Sequence, residues 1–519
     1  MSHNADTIVH DLHVEFESML SYVKDSHTAT ADQVERGLFR RLLSLGLRLM
    51  LLFFAMRTAE AIRGEHQLAN GETLPYLGER RRQYFSIFGK LAFWRPYFYR
   101  QGAGGASPLD QKLSLGSDCY SDLVRELVEY LGVGSTYAKV ADCFSRILRL
   151  ELSTQAISDL IAEDAADVEA FYEQQPPPPP ASEAALLVIQ ADGKGVPMVR
   201  TTPAERKVRL SKGDKHSCKK EAVVTGLYTL APHPRTPAEV VASLFQSECP
   251  PVAPSSPRSG PQHKRLWATL AGKDVAFARL TEQVASREGV HIQQRVALTD
   301  GAEALQERVL HSFPSFNLVL DFIHAIEKLW DVANSLFGET APERTPWVKT
   351  QTLDMLSGRV SQVVTELRKL ADPDKTTASQ RAVLTKSANY FERNAPYMHY
   401  DQYLAQGWPI ASGVIEGACR HLVKDRCELS GMRWTQDGAE NLLRLRAVAE
   451  NDDWDTYHRF LQQQRHQRLY GVPSSAHDTP ENQALADPML APLPQPTGRT
   501  FIMPTIIARR TAQPQKQAA

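Results

Sequence analysis

The chain has 519 residues, 42% hydrophobic and 23% charged, with a formal net charge of -1 and a pI near 7.0. That length exceeds one hydrophobic core, so about two to four domains of a soluble globular protein are expected. A balance this neutral excludes a chain that is basic throughout, and any surface for a polyanion must be local.

The N-terminus, MSHNADTIVHDLHVEF, has no basic segment leading into an apolar core, so no secretory leader is expected. Residues 1–75 read as a helical N-terminal region, on 3.6-residue spacing of Leu and Phe. The run Leu42 to Met56 is shorter than a membrane span and is broken by Gly46 and Arg48. It reads as a buried core helix, with no membrane partner. Six cysteines without a C-x-x-C pair argue against a disulfide framework or zinc knuckle and suit a reducing cytoplasm.

Residues 76–173 change period. Arg81 to Arg100 is aromatic and alternating, interrupted at Gly89-Lys90, and predicts a β-hairpin that is either a packing face or a nucleic-acid surface. Helices follow, and Tyr137–Leu148, Arg149–Leu152 and a Ser153-capped helix through Ile161 fit helix-turn-helix logic for DNA. The run QQPPPPP within 174–182 is a stiff polyproline spacer and a domain boundary.

Beyond it the composition turns to α/β. Apolar strands end at Asp192, at Asp300 and near Phe322, another covers Glu221–Leu230, and Ala302–Ser312 reads as a helix. The core is divided into 183–330 and 406–470 by a helical insertion, 331–405. Residues 471–519 are rich in Pro, Gln and Ala and read as a disordered tail.

Asp192-Gly193 and Asp300-Gly301 each place a carboxylate at a strand end, the functional edge of an α/β sheet. Glu416 lies in SGVIEGACRHLVKDRCELSGMRW, which predicts a helix over Gly413–Leu429. Ile415, Ala418 and Leu422 form its packing side, and Glu416, Arg420 and Lys424 the other. Three carboxylates from separate elements can hold two divalent cations roughly 4 Å apart for phosphoryl displacement. Magnesium suits oxygen donors, with manganese as a substitute. The basic segment Val199–Lys220, with Lys207, Arg209, Lys212, Lys215, Lys219 and Lys220, follows the first carboxylate and suits DNA backbone contacts. Arg420, Lys424, Arg426, Arg433 and Trp434 are further candidates for DNA contact.

The runs QADGKGV, LTDGAEALQERVLHSFPSFNLVLDFIHAIEKLW and YFERNAPYMHYDQYLAQGWPIASGVIEGACRHLVKDRCELSGMRW occur in order. They resemble insertion-sequence transposases of the ISKra type, related to the Mutator-like group. The resemblance implies an α/β RNase H-like catalytic core with a helical insertion, preceded by a mainly helical DNA-binding region with a small β-hairpin. It implies a DDE mechanism with Asp192, Asp300 and Glu416 as catalytic metal ligands and Asp321 and His324 as a supporting D-x-x-H element. Asp321 competes with Asp300 for the second place. It further implies a bacterial, nucleoid-associated homo-oligomer acting on terminal inverted repeats and target DNA. Relatives often carry cysteines after the hairpin aromatics, where this chain reads YFYRQGAGG. The rival readings are a silent DNA-binding derivative and a hydrolase of small phosphoesters.

Overall fold

The computed structural model describes residues 5–68, 70–200, 218–245, 259–374 and 376–471. It is a mixed α/β chain with two sheets and a helical N-terminal region. Residues 472–519, the expected tail, lie outside the described residues.

Helices Ala5–Asp25 and Ala31–Ala59 open the chain as an antiparallel pair. Arg48 Nη1 meets Asp11 Oδ2 at 3.2 Å, Arg41 Nη1 meets Ser18 Oγ at 3.1 Å, and Tyr22 donates to the Gln33 carbonyl at 3.0 Å. Thr30 starts the second helix with a capping box closed by Gln33. The expectation that Leu42–Met56 is core is corrected here: only Gly46 and Phe54 of that helix are buried. One side covers the first sheet and another meets the first helix, while Leu42, Leu49, Phe53 and Met56 face outward. The helix is long and apolar enough to cross a membrane by length and composition, and 11% of its most apolar window is buried.

The first sheet is a meander of β1 (Glu65–Gln67), β2 (Thr73–Ser86), β3 (Gly89–Arg100) and β4 (Gly104–Ala106). Strands β2 and β3 form the expected hairpin, with Ser86 opposite Gly89 across a two-residue turn. Gly89 takes φ +134°, a region that favours glycine. The aromatic alternation serves packing: Leu91 and Phe93 are buried, and Phe54 stacks on Phe93 with centroids 4.1 Å apart.

Helices Tyr137–Leu148 and Thr154–Ala165 occupy the segments read as helix-turn-helix. Arg149 ends the first at φ 54°, and Ser153 Oγ caps the second by accepting from Ala156 N. Ile157, Leu160 and Ile161 turn into the core. The exposed side of that second helix carries Gln155, Asp159 and Glu163 and no cation, which suits phosphate poorly.

The second sheet contains β5 (Leu186–Pro197), β6 (Lys219–Leu230), β7 (Gln262–Thr269), β8 (Gln294–Thr299) and β9 (Asn317–Leu320), in the order β7-β6-β5-β8-β9. Strands β5, β6 and β7 pair antiparallel, whereas β8 is parallel to β5 and β9 to β8. Leu187, Ile189 and Ala191 pack against helices Lys273–Arg287 and Glu303–Ser312. On the opposite face Leu186, Val188, Val296 and Leu298 pack against the helices that fill the chain from Phe322 to Ala405. The period-2 alternation of an apolar strand covered on both sides produces these two layers.

Candidate active site

Strand register builds the site. Strand β5 pairs β8 from Leu186–Gln294 to Gln190–Leu298, and β8 pairs β9 from Val296–Asn317 to Thr299–Leu320. Extended one or two residues past the last pair, these registers align Asp192 with Asp300 and Asp300 with Asp321. The three aspartates therefore stand in one row on neighbouring chain segments, about 4.8 Å apart where the strands are paired.

Asp192 does not end its strand, as the sequence suggested. Strand β5 continues through Gly193–Pro197, paired with Lys219–Val223. A Cβ on Gly193 would lie 2.3 Å from Glu221 Oε1, and one on Gly195 3.0 Å from Lys219 Cδ. These glycines make room for cross-strand side chains and mark no turn. Because β8 stops at Thr299, β5 overhangs it, and Asp192 is half-buried beside the end of β8.

Asp300 sits at the end of β8. Its Oδ1 accepts from Ala302 N at 2.9 Å, the Tyr390 hydroxyl donates to its carbonyl at 2.9 Å, and Arg393 donates to the Gly301 carbonyl at 2.6 Å. Gly301 has φ +89°, and a Cβ there would meet Tyr390 Oη at 2.7 Å, so only glycine fits. Asp300 Oδ2 has no hydrogen-bond partner among the described residues.

Asp321 is 0% exposed and fully engaged. Oδ1 accepts from Ser412 N at 2.8 Å, while Oδ2 accepts from His324 N at 3.0 Å and from His324 Nδ1 at 2.5 Å. That makes it the N-cap of helix Phe322–Phe337 and an anchor for the chain before Glu416. The Asp321 hydrogen bond raises the His324 pKa to about 9 against the opposing effect of burial, with Glu327 and Asp300 adding negative potential. Imidazolium is thus the positive charge set among these carboxylates.

Glu416 is exposed on a segment wound in an unexpected way. Gly413–Ala418 is α-helical, Cys419–Lys424 is π-helical, Asp425–Cys427 returns to α, and Leu429–Gly431 is a 3-10 turn. The expected uninterrupted helix is therefore corrected, and the wider i→i+5 turn buries Val423 and Cys427 together with Leu422. Three bonds fasten the segment across the strand ends: Ile415 N to Gln190 Oε1 at 2.9 Å, Cys419 Sγ to Asp192 Oδ2 at 3.2 Å, and the Ser412–Asp321 bond. Burial, followed by the charge of Asp192, pushes the Cys419 thiol well up, which keeps it a donor. Ser412 Oγ steadies Glu416 Oε1 at 2.9 Å.

Asp321, His324 and Glu416 bring one ligand atom each within 4.8 Å of one another. Asp192 and Asp300 stand outside that group, reached through Cys419 and through the row of aspartates. The sequence missed Gln190, Ser412, Tyr390 and Cys419. The Gln190-Ala-Asp192 alternation, which puts Gln190 and Asp192 on one strand face, was the available signal for the first of these.

The basic candidates divide. Lys207, Arg209, Lys212 and Lys215 lie outside the described residues. Lys219 pairs with Glu428 at 2.5 Å and Lys220 donates to Gln436 at 2.7 Å. Arg420, Lys424 and Arg433 are exposed. Arg426 and Trp434 do not reach the surface where DNA contacts were expected. Arg426 is 0% exposed, lies 5.1 and 5.0 Å from the ring centroids of Tyr137 and Trp434, and donates to the Gly132 carbonyl at 3.0 Å. A weakly hydrated, planar guanidinium can be buried this way against aromatic rings.

No family model and no curated protein matches the chain. Among solved structures it is similar to a Drosophila P element transposase strand transfer complex, at 9% identity and a TM-score of 0.24, over 68% of this chain and 82% of that one. A likeness this slight assigns neither fold nor function.

Proposed function

We propose that this chain is a DNA transposase of the ISKra type, with an RNase H-like core and a DDE carboxylate site made of Asp192, Asp300 and Glu416. The observation that carries this reading is the common level of Asp192 and Asp300 on adjacent parallel strands, with the Glu416 segment fastened to the first of these strands at Gln190 and Asp192 and, beyond the second, to Asp321. The sheet supports it, since in chain order its strands stand 3-2-1-4-5, three antiparallel and then two parallel.

The donor set fits magnesium or manganese, because oxygen dominates it and Asp300 Oδ2 is unspent. A magnesium ion held there would supply Lewis-acid activation of an attacking oxygen and stabilisation of a leaving oxygen. Asp192 and Asp300 would hold it, with Glu416 approaching from the helix side. Asp321 positions: it fixes Ser412 and His324 and has little capacity left for a ligand. Arg420, Lys424 and Arg433 would take DNA phosphates, which sets the scissile bond against the carboxylate row. The substrates would be the terminal inverted repeats of the element and target DNA, in a bacterial cytoplasm.

The test is strand cleavage of an inverted-repeat duplex with Mg²⁺, comparing wild type with Asp192→Asn, Asp300→Asn and Glu416→Gln. Each variant is expected to bind the duplex and to lose cleavage. Undiminished cleavage in any one of them refutes its place in the triad.

A further inference from the structure

Helix Ala378–Asn394 lies among the helices between β9 and the Glu416 segment, and its last turn meets the turn that carries Asp300. Tyr390, Arg393 and Asn394 stand at i, i+3 and i+4, on one side of that helix. The Tyr390 hydroxyl donates to the Asp300 carbonyl at 2.9 Å, and Arg393 Nη2 to the Gly301 carbonyl at 2.6 Å. Asn394, wholly buried, accepts through Oδ1 from Gln306 Nε2 at 2.8 Å, which fixes helix Glu303–Ser312 beyond the turn. One helix thus holds both carbonyls of the Asp300-Gly301 turn and the helix that follows. Its own seat is firm. Leu384, Ala388 and Phe391 are buried in the layer of helices, and Gln380 Nε2 donates to the Ser335 carbonyl at 2.9 Å. On another side, Arg368 Nη2 donates to Asn389 Oδ1 at 2.6 Å and to Glu392 Oε2 at 2.9 Å.

The pairing of β8 with β9 ends at Thr299 opposite Leu320, so no ladder partner aims the residue that follows. Asp300 Oδ1 is spent on Ala302 N, which leaves Oδ2 for a cation. Rotating the turn would swing that oxygen away, and a ligand serves only within about 0.5 Å of its productive place. We propose, on the reading of Asp300 as a metal ligand, that Tyr390 and Arg393 are positioning residues, holding the Asp300-Gly301 backbone so that Oδ2 faces the cation. Neither would touch a reacting atom. The helices between β9 and Ser412 thereby gain a part in the chemistry, setting the second carboxylate before the chain supplies the third. Outer partners of metal ligands typically contribute about 10–100-fold to metal affinity.

The experiment titrates the full chain with Mn²⁺ in the absence of DNA, counting free Mn²⁺ by electron paramagnetic resonance. Asp300→Asn, run beside the other variants, defines the binding that depends on this carboxylate. Tyr390→Phe keeps the ring and removes only the hydroxyl. It is expected to raise the dissociation constant about 10-fold, as is Arg393→Ala. Arg393→Lys should recover part of the loss, because an ammonium can still reach one carbonyl. Arg368→Ala loosens the same helix from another side without touching the turn, and should bind Mn²⁺ as wild type does. In cleavage of the inverted-repeat duplex, Tyr390→Phe should need about 10-fold more Mg²⁺ for half the maximal rate and reach the wild-type rate at saturation. The proposal is overturned if Tyr390→Phe and Arg393→Ala titrate like wild type, or if Arg368→Ala weakens Mn²⁺ binding as much as they do. Wild type that binds no Mn²⁺ overturns both this proposal and the metal site it depends on. Wild type that binds Mn²⁺ but cuts no DNA, with the variants weakened as expected, refutes the transposase reading and leaves this one standing.

Discussion

The thiol of Cys419 donates to Asp192 Oδ2 across 3.2 Å and so ties the segment that carries Glu416 to the strand that carries the first carboxylate. On the proposed reading, Cys419 would touch no reacting atom and would act by orienting a ligand. Removing such an outer partner typically costs 10–100-fold in metal affinity or activity. Cys419→Ala should therefore raise the Mg²⁺ concentration for half-maximal cleavage about 10-fold, and Cys419→Ser should recover part of that. A metal titration that does not move in Cys419→Ala removes this role.

Asp300 and Asp321 separate by stability. Asp321 accepts three hydrogen bonds while fully buried, so Asp321→Ala strands Ser412 N and uncaps helix Phe322–Phe337. A loss of about 2–4 kcal/mol is expected. Asp300→Asn keeps the side chain's size and should stay within about 1 kcal/mol of wild type while abolishing cleavage. Urea denaturation read beside the cleavage assay distinguishes them, and the reverse pattern would make Asp321 the second ligand.

Much of this was legible in the sequence, and the rest was hidden for definite reasons. Four strands of the second sheet announced themselves as apolar runs. Strand β7, Gln262–Thr269, did not, because its first half is His263-Lys264-Arg265 at an edge where one side is unpaired. The common level of the aspartates was invisible because pairing register is a tertiary property. Arg426 was misread by its charge: it follows Leu422 by four residues, the spacing of a buried face. The π turn has no local signature, and it brings in Cys427, which a regular helix would have set on the side of Glu416.

Binding should follow the exposed cations alone. Lys424→Ala and Arg433→Ala are each expected to lower the slope of log affinity against log salt by about 1. Arg426→Ala should leave that slope unchanged and destabilise the fold by about 2–4 kcal/mol, since it empties the space between Tyr137 and Trp434. Fluorescence anisotropy over a salt series and thermal melts check the two halves.

His458 sets an acid limit. It is held beside Glu129, with Nε2–Oε2 at 3.5 Å, and burial pushes its pKa from 6.5 down to about 4 despite the charge of Asp164 nearby and with Arg465 also opposing its proton. Glu129, wholly buried, is pushed up by burial and then by Asp164, which works in the other direction above its usual range. For the histidine, the unfolded chain takes up a proton below pH 6.5 that the folded chain refuses. The histidine's contribution to stability is therefore complete above pH 6.5 and is lost as the pH drops toward 4, by up to about 3 kcal/mol. His458→Gln should flatten that fall, measured as the difference between the two proteins' urea midpoints at pH 7 and pH 4.5.

The row of aspartates also bears on what can change without harm. Asp192 is fixed by its distance from Leu186 within one strand, and Asp300 by its distance from Gln294 within the next. The long excursions between these strands set no part of that alignment. Segments inserted or recast there could change the DNA sequence or partner recognised while the chemistry stayed in register. Shortening β5 or β8 by a single residue before its aspartate would break it, because one carboxylate would then turn to the opposite face.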